Sequence, residues 1–382
     1  GVGTSVIISS GSTVTVGTVE SVSIGTHFSP PVGGIEERNK DFVEGMMRFN
    51  TDLNTMEFYN GNEWRQFTYI SDIKNSPSSA GRGVIRPSPS PTGGEAPDAI
   101  LTTFSVVNGG ANTEYGTLSA GNYAQGGSFS SSTRIIMSGG TTYTNPYGVI
   151  NNMDYKAIAS SGNTQDFGDL TSARRAMGSL SSSTRGLTIG GVNPGSLNII
   201  DYVETATLGD AIDFGDCTSA GRHQESGCSS PTRGLFVHGN PSNVNHIDTL
   251  QIASKGNSIE FGQRMFQGGY TTGNCNGIRA LFGGGYQMSP LSGTNRGQIT
   301  MVTVASMGNE TLFGDLSVAR YHSWGLTSKT RACFLGGYSP SFAGVDSVFY
   351  ESAGKAINFG ELDRIRWSTN GATDCHGGLG GY

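Results

Sequence analysis

The sequence is poor in charged residues, and this argues against several classes of protein. Only 14% of its 382 residues are Asp, Glu, Lys or Arg, against roughly 25% in an average domain. The net charge of −6 includes no basic stripe, so we expect no nucleic-acid partner. No apolar run approaches the roughly 20 residues that a membrane helix needs, so we expect no membrane insertion.

Cysteine and catalytic signatures are also sparse. The five cysteines are odd in number and show no C-x-x-C spacing, which indicates buried free thiols in place of a disulfide framework or zinc knuckle. Nucleophile elbows, phosphate loops, dinucleotide fingerprints and H-E-x-x-H pairs are missing. We therefore predict a protein that is not an enzyme and has no cofactor. We also predict no metal site, the six histidines being hydrogen-bonded or solvated.

Glycine is abundant, with 59 residues, and it accompanies a repeat. Five times an arginine begins an apolar stretch that ends in glycine, at steps of 46 to 52 residues. A fixed period of this length indicates one small structural unit that is copied along the chain. The five residues are Arg134, Arg185, Arg233, Arg279 and Arg331.

A second marker, an aromatic residue followed by glycine, recurs in register with the arginines. Another glycine precedes each aromatic by five residues, often with Asn or Asp after it, which is typical of a hairpin turn. Val- and Tyr-rich stretches precede these turns and fit a pleated sheet. The markers after the first, Tyr115-Gly116, begin at Phe167, Phe214, Phe261, Phe313 and Phe359.

Each period therefore holds four short strands, which is the content of one β-propeller blade. Five complete units occupy about 118–168, 171–215, 219–262, 264–314 and 317–360. Two partial units remain, a strand pair in 100–116 and another in 364–382. Because unpaired strand edges are avoided, we predict that these two segments pair and close a six-bladed propeller over residues 100–382.

Residues 76–99, rich in Pro, Ser and Gly, are predicted to be a linker. Within them, 78–85 resembles another repeat strand. Because Pro87, Pro89 and Pro91 follow where Gly-Gly is expected, we predict that this strand is vestigial or peripheral.

The order of the strands is similar to that of kelch repeats, in which an apolar strand closing on Gly-Gly precedes a strand bearing Tyr. This resemblance, together with the count of units, predicts an all-β, kelch-like six-bladed β-propeller. Here the Phe of the Phe-Gly pair stands where kelch repeats usually have Trp.

Residues 1–75 lack the repeat and are predicted to be a small β-rich region. Short strand candidates lie at 6–8, 14–16 and 19–24. Residues 45–64 are predicted to form a β-meander with an Asn-Thr-Asp-Leu-Asn turn, an Asn-Gly turn and a closing Trp64. This segment resembles a module of structural proteins in tailed bacteriophages. The Phe-Gly-Asp-Leu-Thr-x-Ala-Arg blade is similar to repeats in virion proteins of phages that infect marine cyanobacteria.

The arginines and Phe-Gly aromatics recur in every unit, so we predict that they join neighbouring blades and are not catalytic. The connections between the second and third strands vary between units, and in a propeller they emerge on one face. Aromatic residues and Arg are favoured at recognition sites. The predicted binding residues on this face are Tyr143, Tyr147, Tyr286, Met288, Arg296, Tyr338 and Phe342. The alternative is that these tyrosines only pack on neighbouring loops.

The phage resemblance implies a virion protein, assembled in the host cytoplasm, that attaches to other virion proteins through residues 1–75. We expect several copies on the particle or a homo-oligomer. The leading hypothesis is a tail fibre or spike that binds a host surface glycan or protein. The alternatives are a decoration or connector protein of the head, neck or baseplate, and a propeller hydrolase acting on surface polysaccharide.

Overall fold

The computed structural model describes residues 30–38, 43–52, 55–66, 81–87, 99–118, 123–142, 148–221, 226–238, 245–287 and 293–379. The chain divides into two compact units, residues 1–70 and 71–382. Strands and two short 3-10 helices, but no α-helix, occur in these ranges, which confirms the prediction of an all-β protein. The described residues include no helix that is long and apolar enough to cross a bilayer.

The first unit is a four-stranded sheet with one 3-10 helix, Ile35–Glu37. Its last three strands pair antiparallel as two hairpins whose connections lie where the sequence predicts turns. Leu53 and Asn54 of the first predicted turn lie outside the described residues. A short parallel strand adds to the edge. The strand candidates at 6–8, 14–16 and 19–24 lie outside the described residues. In sheet order the strands are Val32–Gly33, Met47–Asn50, Thr55–Tyr59 and Trp64–Gln66.

A buried carboxylate organises this sheet. The Glu57 side chain is inaccessible to solvent and lies 2.7 Å from Arg38 Nη2 and 3.4 Å from Arg48 Nε. Both guanidinium groups lie over the ring of Trp64, about 6 Å from its centre. Burial is the largest single influence and raises the pKa of Glu57, but hydrogen bonds from Arg38 and Asn50 and the charges of the two arginines together hold it below its usual value. A charged glutamate is therefore part of the core of this unit.

The second unit contains six sheets of four principal strands, numbered here from 1 to 6, in which neighbouring strands are antiparallel. The strands of sheets 1 to 3 are Gly127–Ser130, Arg134–Thr142, Gly148–Ala157, Gln165–Asp169; Gly178–Ser181, Arg185–Ile189, Leu197–Glu204, Ile212–Gly221; Ser226–Ser229, Arg233–Val237, His246–Gln251 and Ile259–Gln263. Those of sheets 4 to 6 are Thr272–Cys275, Arg279–Gly283, Gln298–Thr303, Thr311–Asp315; Trp324–Thr327, Arg331–Leu335, Gly344–Phe349, Ile357–Glu361; Gly371–Thr373, Arg82–Ile85, Ile100–Ser105 and Thr113–Thr117.

Short strands supplement these sheets. Tyr123–Ala124 extends sheet 1, and Gly354–Lys355 and Gly110–Ala111 pair in parallel with the fourth strands of sheets 4 and 5. A separate small sheet contains Gly268–Gly269, Tyr286–Gln287 and Thr294–Asn295. The second 3-10 helix is Gly377–Leu379.

Sheet 6 corrects two predictions. Arg82–Ile85 is its second strand, pairing with Gly371–Thr373 on one side and Ile100–Ser105 on the other. It is buried along its whole length, so it is neither peripheral nor part of a linker. The segments 100–116 and 364–382 therefore do not pair directly, because 82–85 lies between them. Pro87 causes no conflict, since the last paired residue is Ile85.

Six hydrophobic clusters lie between neighbouring sheets. Each second strand is apolar on both sides, because one side faces the preceding sheet and the other the following sheet. Phe129 and Met177 join sheets 1 and 2, for example, and Val84 and Ile135 join sheets 6 and 1. The remaining clusters join sheets 2 and 3, 3 and 4, 4 and 5, and 5 and 6. No pair of consecutive sheets lacks its own apolar interface.

The two glycine markers of the repeat meet between sheets. The glycine after each aromatic packs on the turn glycine of the next sheet, as Gly168 does on Gly209. Gly168 has φ 141°, and an added Cβ would collide with the Gly209 backbone, so a side chain is excluded there. The same contact joins sheet 5 to sheet 6 through Gly360 and Gly110.

Candidate functional site

Hydroxyl groups connect the first strands of the six sheets to one another. Each donates a hydrogen bond to a backbone carbonyl of the neighbouring first strand, which satisfies a buried acceptor that no sheet ladder reaches. The donor–acceptor pairs pass from sheet 3 to sheet 2 and then to sheets 1, 6, 5 and 4. They are Ser229 to Ser181 (2.7 Å), Ser181 to Ser130 (2.8 Å), Ser130 to Thr373 (2.7 Å), Thr373 to Thr327 (2.7 Å) and Thr327 to Cys275 (3.5 Å).

All six first strands line a central cavity. At one end the C-terminal segment crosses it: His376 Nε2 lies 3.0 Å from the carbonyl of Ser130 and 3.1 Å from the hydroxyl of Ser181. Gly378 in the same segment packs against Ser181 and Ser229. Sheets 1, 2 and 3 are therefore tied to the strand end of sheet 6 at this side of the cavity.

The repeat arginines bridge neighbouring sheets. Arg185 Nη1 donates to the carbonyls of Ile252 (3.2 Å) and Ala253 (2.7 Å) in the next sheet. Arg134, Arg233 and Arg279 make the corresponding bonds. Arg331 differs, because it donates to Ser347 of its own sheet and lies over Phe349 and Phe359.

Arg82 is a sixth member of this series that the sequence interpretation missed. Its Nη1 donates to the carbonyls of Ile158 (2.8 Å) and Ala159 (3.0 Å) and so joins sheet 6 to sheet 1. The aromatics of the second marker are also structural in position. Phe167, Phe214, Phe261 and Phe313 are at most 5% exposed, and Phe359 is partly buried.

At the other end of the cavity, the chain enters the first strands through residues with positive φ. Non-glycine residues rarely adopt this conformation, and it clusters at functional positions. Backbone bonds connect these corners, from Ala176 to Gln125 (2.6 Å), from Gln125 to Ser368 (3.3 Å) and from Ser368 to His322 (3.2 Å). The described corner residues are Gln125, Ala176, Tyr270, His322 and Ser368.

Six aromatic side chains gather at these corners in sheets 4 to 6, and we call them the aromatic patch. Tyr321 is at its centre, 5.3 Å from Tyr286 and 5.6 Å from Tyr338 between ring centroids. His322 lies 4.3 Å from Tyr270 and 5.6 Å from Trp367. The members are Tyr270, Tyr286, Tyr321, His322, Tyr338 and Trp367.

The patch is accessible to solvent. Tyr338 is 38% exposed and the other five members are partly exposed. Burial, followed by the neighbouring phenols, raises the pKa of Tyr321 above its usual value. The Ser368 hydroxyl lies 2.8 Å from His322 Nδ1 and orients that ring. The residues after Tyr270 and His322, Thr271 and Ser323, line the cavity, so the patch borders its mouth.

The structure separates the predicted binding residues into three groups. Tyr286 and Tyr338 belong to the patch. Arg296 is only 4% exposed and is stacked on Phe266, so it presents no free charge at the surface. Phe342 lies under the guanidinium of Arg320. Burial lowers the pKa of Arg296 to about 9. Tyr143, Tyr147 and Met288 lie outside the described residues.

Sequence reasoning missed Tyr270, Tyr321 and Trp367 as members of a recognition surface. No repeat marker includes these three residues. The available signal was that aromatic residues directly precede the first strands of only some units.

One group of side chains could hold a metal ion. In sheet 3, His238 Nε2 lies 3.1 Å from Asp248 Oδ2, and His246 Nε2 lies 3.1 Å from Asp248 Oδ1. The nearest ligand atoms of the three residues all lie within 4.8 Å of one another. Two imidazoles and a carboxylate form a donor set suited to Zn²⁺ and related ions.

Comparison with models of known protein families gives no match to this chain. Comparison with curated protein sequences gives none either.

Proposed function

We propose that residues 81–379 form a six-bladed β-propeller whose aromatic patch binds a saccharide, and that the protein is displayed on a tailed-phage particle. Three kinds of contact support the propeller. The hydrophobic clusters and glycine contacts connect sheets 1 to 6 in order and return from 6 to 1. The hydroxyl bonds follow the same order. Radial repetition of this kind protects strand edges.

The aromatic patch is the observation that carries the binding function. Exposed aromatic rings in contact with one another stabilise no core, yet they offer flat apolar faces with polar edges. The C–H faces of a pyranose pack on such rings, while Tyr hydroxyls bond to sugar hydroxyls. The patch borders a cavity mouth lined by Ser and Thr side chains, which favours a hydroxyl-rich ligand such as a glycan.

The non-enzymatic assignment follows from how the repeat uses its charged groups. Arg174 and Asp201 form a buried pair (3.0 Å), as do Arg320 and Asp346 (2.8 Å). Arg82 and four of the repeat arginines join neighbouring sheets. These groups are committed to holding the sheets together, and a side chain with that role is a poor general acid or base.

The phage context is the part of the proposal supported by resemblance. The meander of the first unit has the strands and turns that the tailed-phage module implies. We infer that this unit attaches to other virion proteins and that the propeller is displayed by a fibre or spike.

The test is binding of the purified protein to a glycan array and to lipopolysaccharide, for wild type and the variants Trp367→Ala and Tyr338→Ala. The proposal predicts at least a tenfold loss of affinity in both variants. Phe349→Ala is the matched control, since Phe349 is an exposed aromatic in sheet 5 outside the patch, and it should bind like wild type.

Equal binding by all four proteins would contradict the role of the patch. A decoration or connector protein would instead bind no glycan, and electron microscopy would locate it on the head, neck or baseplate. Turnover of polysaccharide that a single substitution abolishes would favour a hydrolase.

A further inference from the structure

We propose that His238, His246 and Asp248 bind one transition-metal ion of the Zn²⁺ class within sheet 3. The three residues join two strands: His238 directly follows the second strand, and His246 and Asp248 begin the third. An ion there would fasten these strands together at the edge where their connection leaves the sheet. This site is separate from the aromatic patch, which lies on sheets 4 to 6.

The two histidines break the symmetry of the repeat. The position of His238 is occupied by the first glycine of a pair in four other sheets, and by Pro87 in sheet 6. His246 is replaced by Asn, Ile, Gln, Gly and Ile. A residue that recurs in every unit serves the shared fold, whereas paired departures in a single unit indicate a local role. The corresponding residues are Gly139, Gly190, Gly284, Gly336 for His238, and Asn152, Ile199, Gln298, Gly344, Ile100 for His246.

Other sheets also have an aspartate at the position of Asp248, but there its cationic partner is different. Asp201 in sheet 2 and Asp346 in sheet 5 occupy the position of Asp248, and each forms an ion pair with a buried arginine. In sheet 3 the groups within ion-pair distance, among the described residues, are two imidazoles. A divalent ion between them would supply the positive charge that arginine supplies elsewhere.

The distances fit tetrahedral coordination. Ligands at about 2.0–2.1 Å from a tetrahedral ion are about 3.3 Å apart, and both imidazole–carboxylate distances here are 3.1 Å. His238 and Asp248 side chains are inaccessible, whereas that of His246 is 20% exposed. An ion can therefore enter beside His246, and a water can complete its coordination.

Neighbouring hydroxyls orient the carboxylate. Thr218 Oγ1 donates to both Asp248 oxygens (2.8 Å each), and Ser258 Oγ donates to Oδ2 (2.5 Å). Such outer contacts fix the direction of a ligating group and are typical of built metal sites. The nitrogen-rich donor set favours Zn²⁺ over Ca²⁺ or Mg²⁺, which prefer oxygen ligands.

The test uses the full chain, stripped with a chelator, and titrated with Zn²⁺ in a calorimeter. We expect one high-affinity ion per chain, a higher Tm in its presence, and at least a tenfold weaker affinity in His246→Gln, the most exposed of the three ligands. Asp213→Asn is the control, because Asp213 is an exposed carboxylate in sheet 2 and should leave binding unchanged. Zn²⁺ binding that is absent, or that is equal in wild type and His246→Gln, would overturn the proposal.

A second measurement needs no variant. X-ray absorption at the zinc edge of the loaded wild-type protein should show two imidazole nitrogens and one or two oxygens near 2.0 Å. Only oxygen ligands, or a single imidazole, would show that the ion binds elsewhere and would refute the site. Ca²⁺ in place of Zn²⁺ should leave the Tm unchanged.

Discussion

Acid should weaken the second unit through one histidine, which lies at the end of the cavity that the C-terminal segment crosses. His376 Nε2–H donates to the carbonyl of Ser130 (3.0 Å), and its Nδ1 accepts from the backbone N–H of Gly378 (3.1 Å). This arrangement requires the neutral imidazole, because a proton on Nδ1 would face the Gly378 N–H. Burial accordingly lowers the pKa of His376 to about 4, against a smaller opposing effect of the Ser130 carbonyl.

The size of the effect follows from the difference between the folded and unfolded states. The pKa falls from 6.5 to about 4 on folding, so the unfolded chain binds the proton first. The stabilisation is therefore complete above pH 6.5 and is lost as the pH falls toward 4. Linkage gives about 2.5 kcal/mol of lost stability by pH 4.5.

The assay is urea unfolding of wild type and His376→Gln between pH 7.5 and 4.5, followed by fluorescence. Gln retains a donor toward Ser130 but does not titrate, so the difference between the two pH profiles isolates His376 from other groups. We expect wild type to lose about 2.5 kcal/mol more than the variant over this range. Parallel profiles would refute a neutral His376 with a lowered pKa.

Three further predictions concern stability. Gly262→Ala should destabilise the second unit by about 1–3 kcal/mol by overpacking, because the added Cβ would meet the Gly308 backbone. The Cβ of Gly308→Ala would meet no atom within 4 Å, so this variant should change stability by less than about 0.5 kcal/mol. Similar unfolding midpoints for the two variants would contradict the contact. Arg82→Ala should lower the free energy of unfolding by about 3 kcal/mol, because two carbonyls of sheet 1 lose a charged donor. Arg65 is exposed, so Arg65→Ala should change the free energy of unfolding very little. Thermal unfolding of both variants tests this difference. Glu57→Ala should destabilise the first unit by about 3–5 kcal/mol, because it leaves two arginines unpaired. Glu63 is exposed, so Glu63→Ala should have little effect. Proteolysis confined to residues 1–70 would distinguish this result from general unfolding.

The repeat made most of the fold predictable from the sequence. Local markers define the unit: the arginine begins the second strand, and the aromatic-glycine pair lies in the fourth. Because these markers serve backbone contacts that recur in each unit, five sheets fall where the sequence placed them. The N-terminal meander was predictable for the same reason, since its two turns carry their own signals.

Sheet 6 could not be assembled correctly from local signals. Its strands come from both ends of the unit, Gly371–Thr373 and Arg82–Ile85, so no window of about 50 residues contains it. The prolines after Arg82–Ile85 were weighed as evidence against a strand. The strand ends two residues before Pro87, however, and the proline lacks no ladder bond there.

Sequence reasoning found only Tyr286 and Tyr338 of the aromatic patch, because its members are about 100 residues apart at the extremes, from Tyr270 to Trp367. They meet only through contacts between sheets 4, 5 and 6. Arg296, in contrast, was predicted as a binding residue because a loop arginine is usually exposed. Here it stacks on Phe266 and is buried.

The regularity of the structure makes its exceptions informative. Corner residues share one backbone conformation, but their side chains differ: Gln125, Ala176 and Ser368 are polar or small, while Tyr270 and His322 are aromatic. The fold does not require an aromatic ring at this position, because sheets 1, 2 and 6 have the same corner without one. Rings at the corners of sheets 4 and 5, extended by Tyr338 and Trp367, are therefore not explained by folding. A surface that folding leaves free to vary, and that nevertheless concentrates six aromatic side chains at the mouth of a cavity, is the part of this molecule where recognition should be sought.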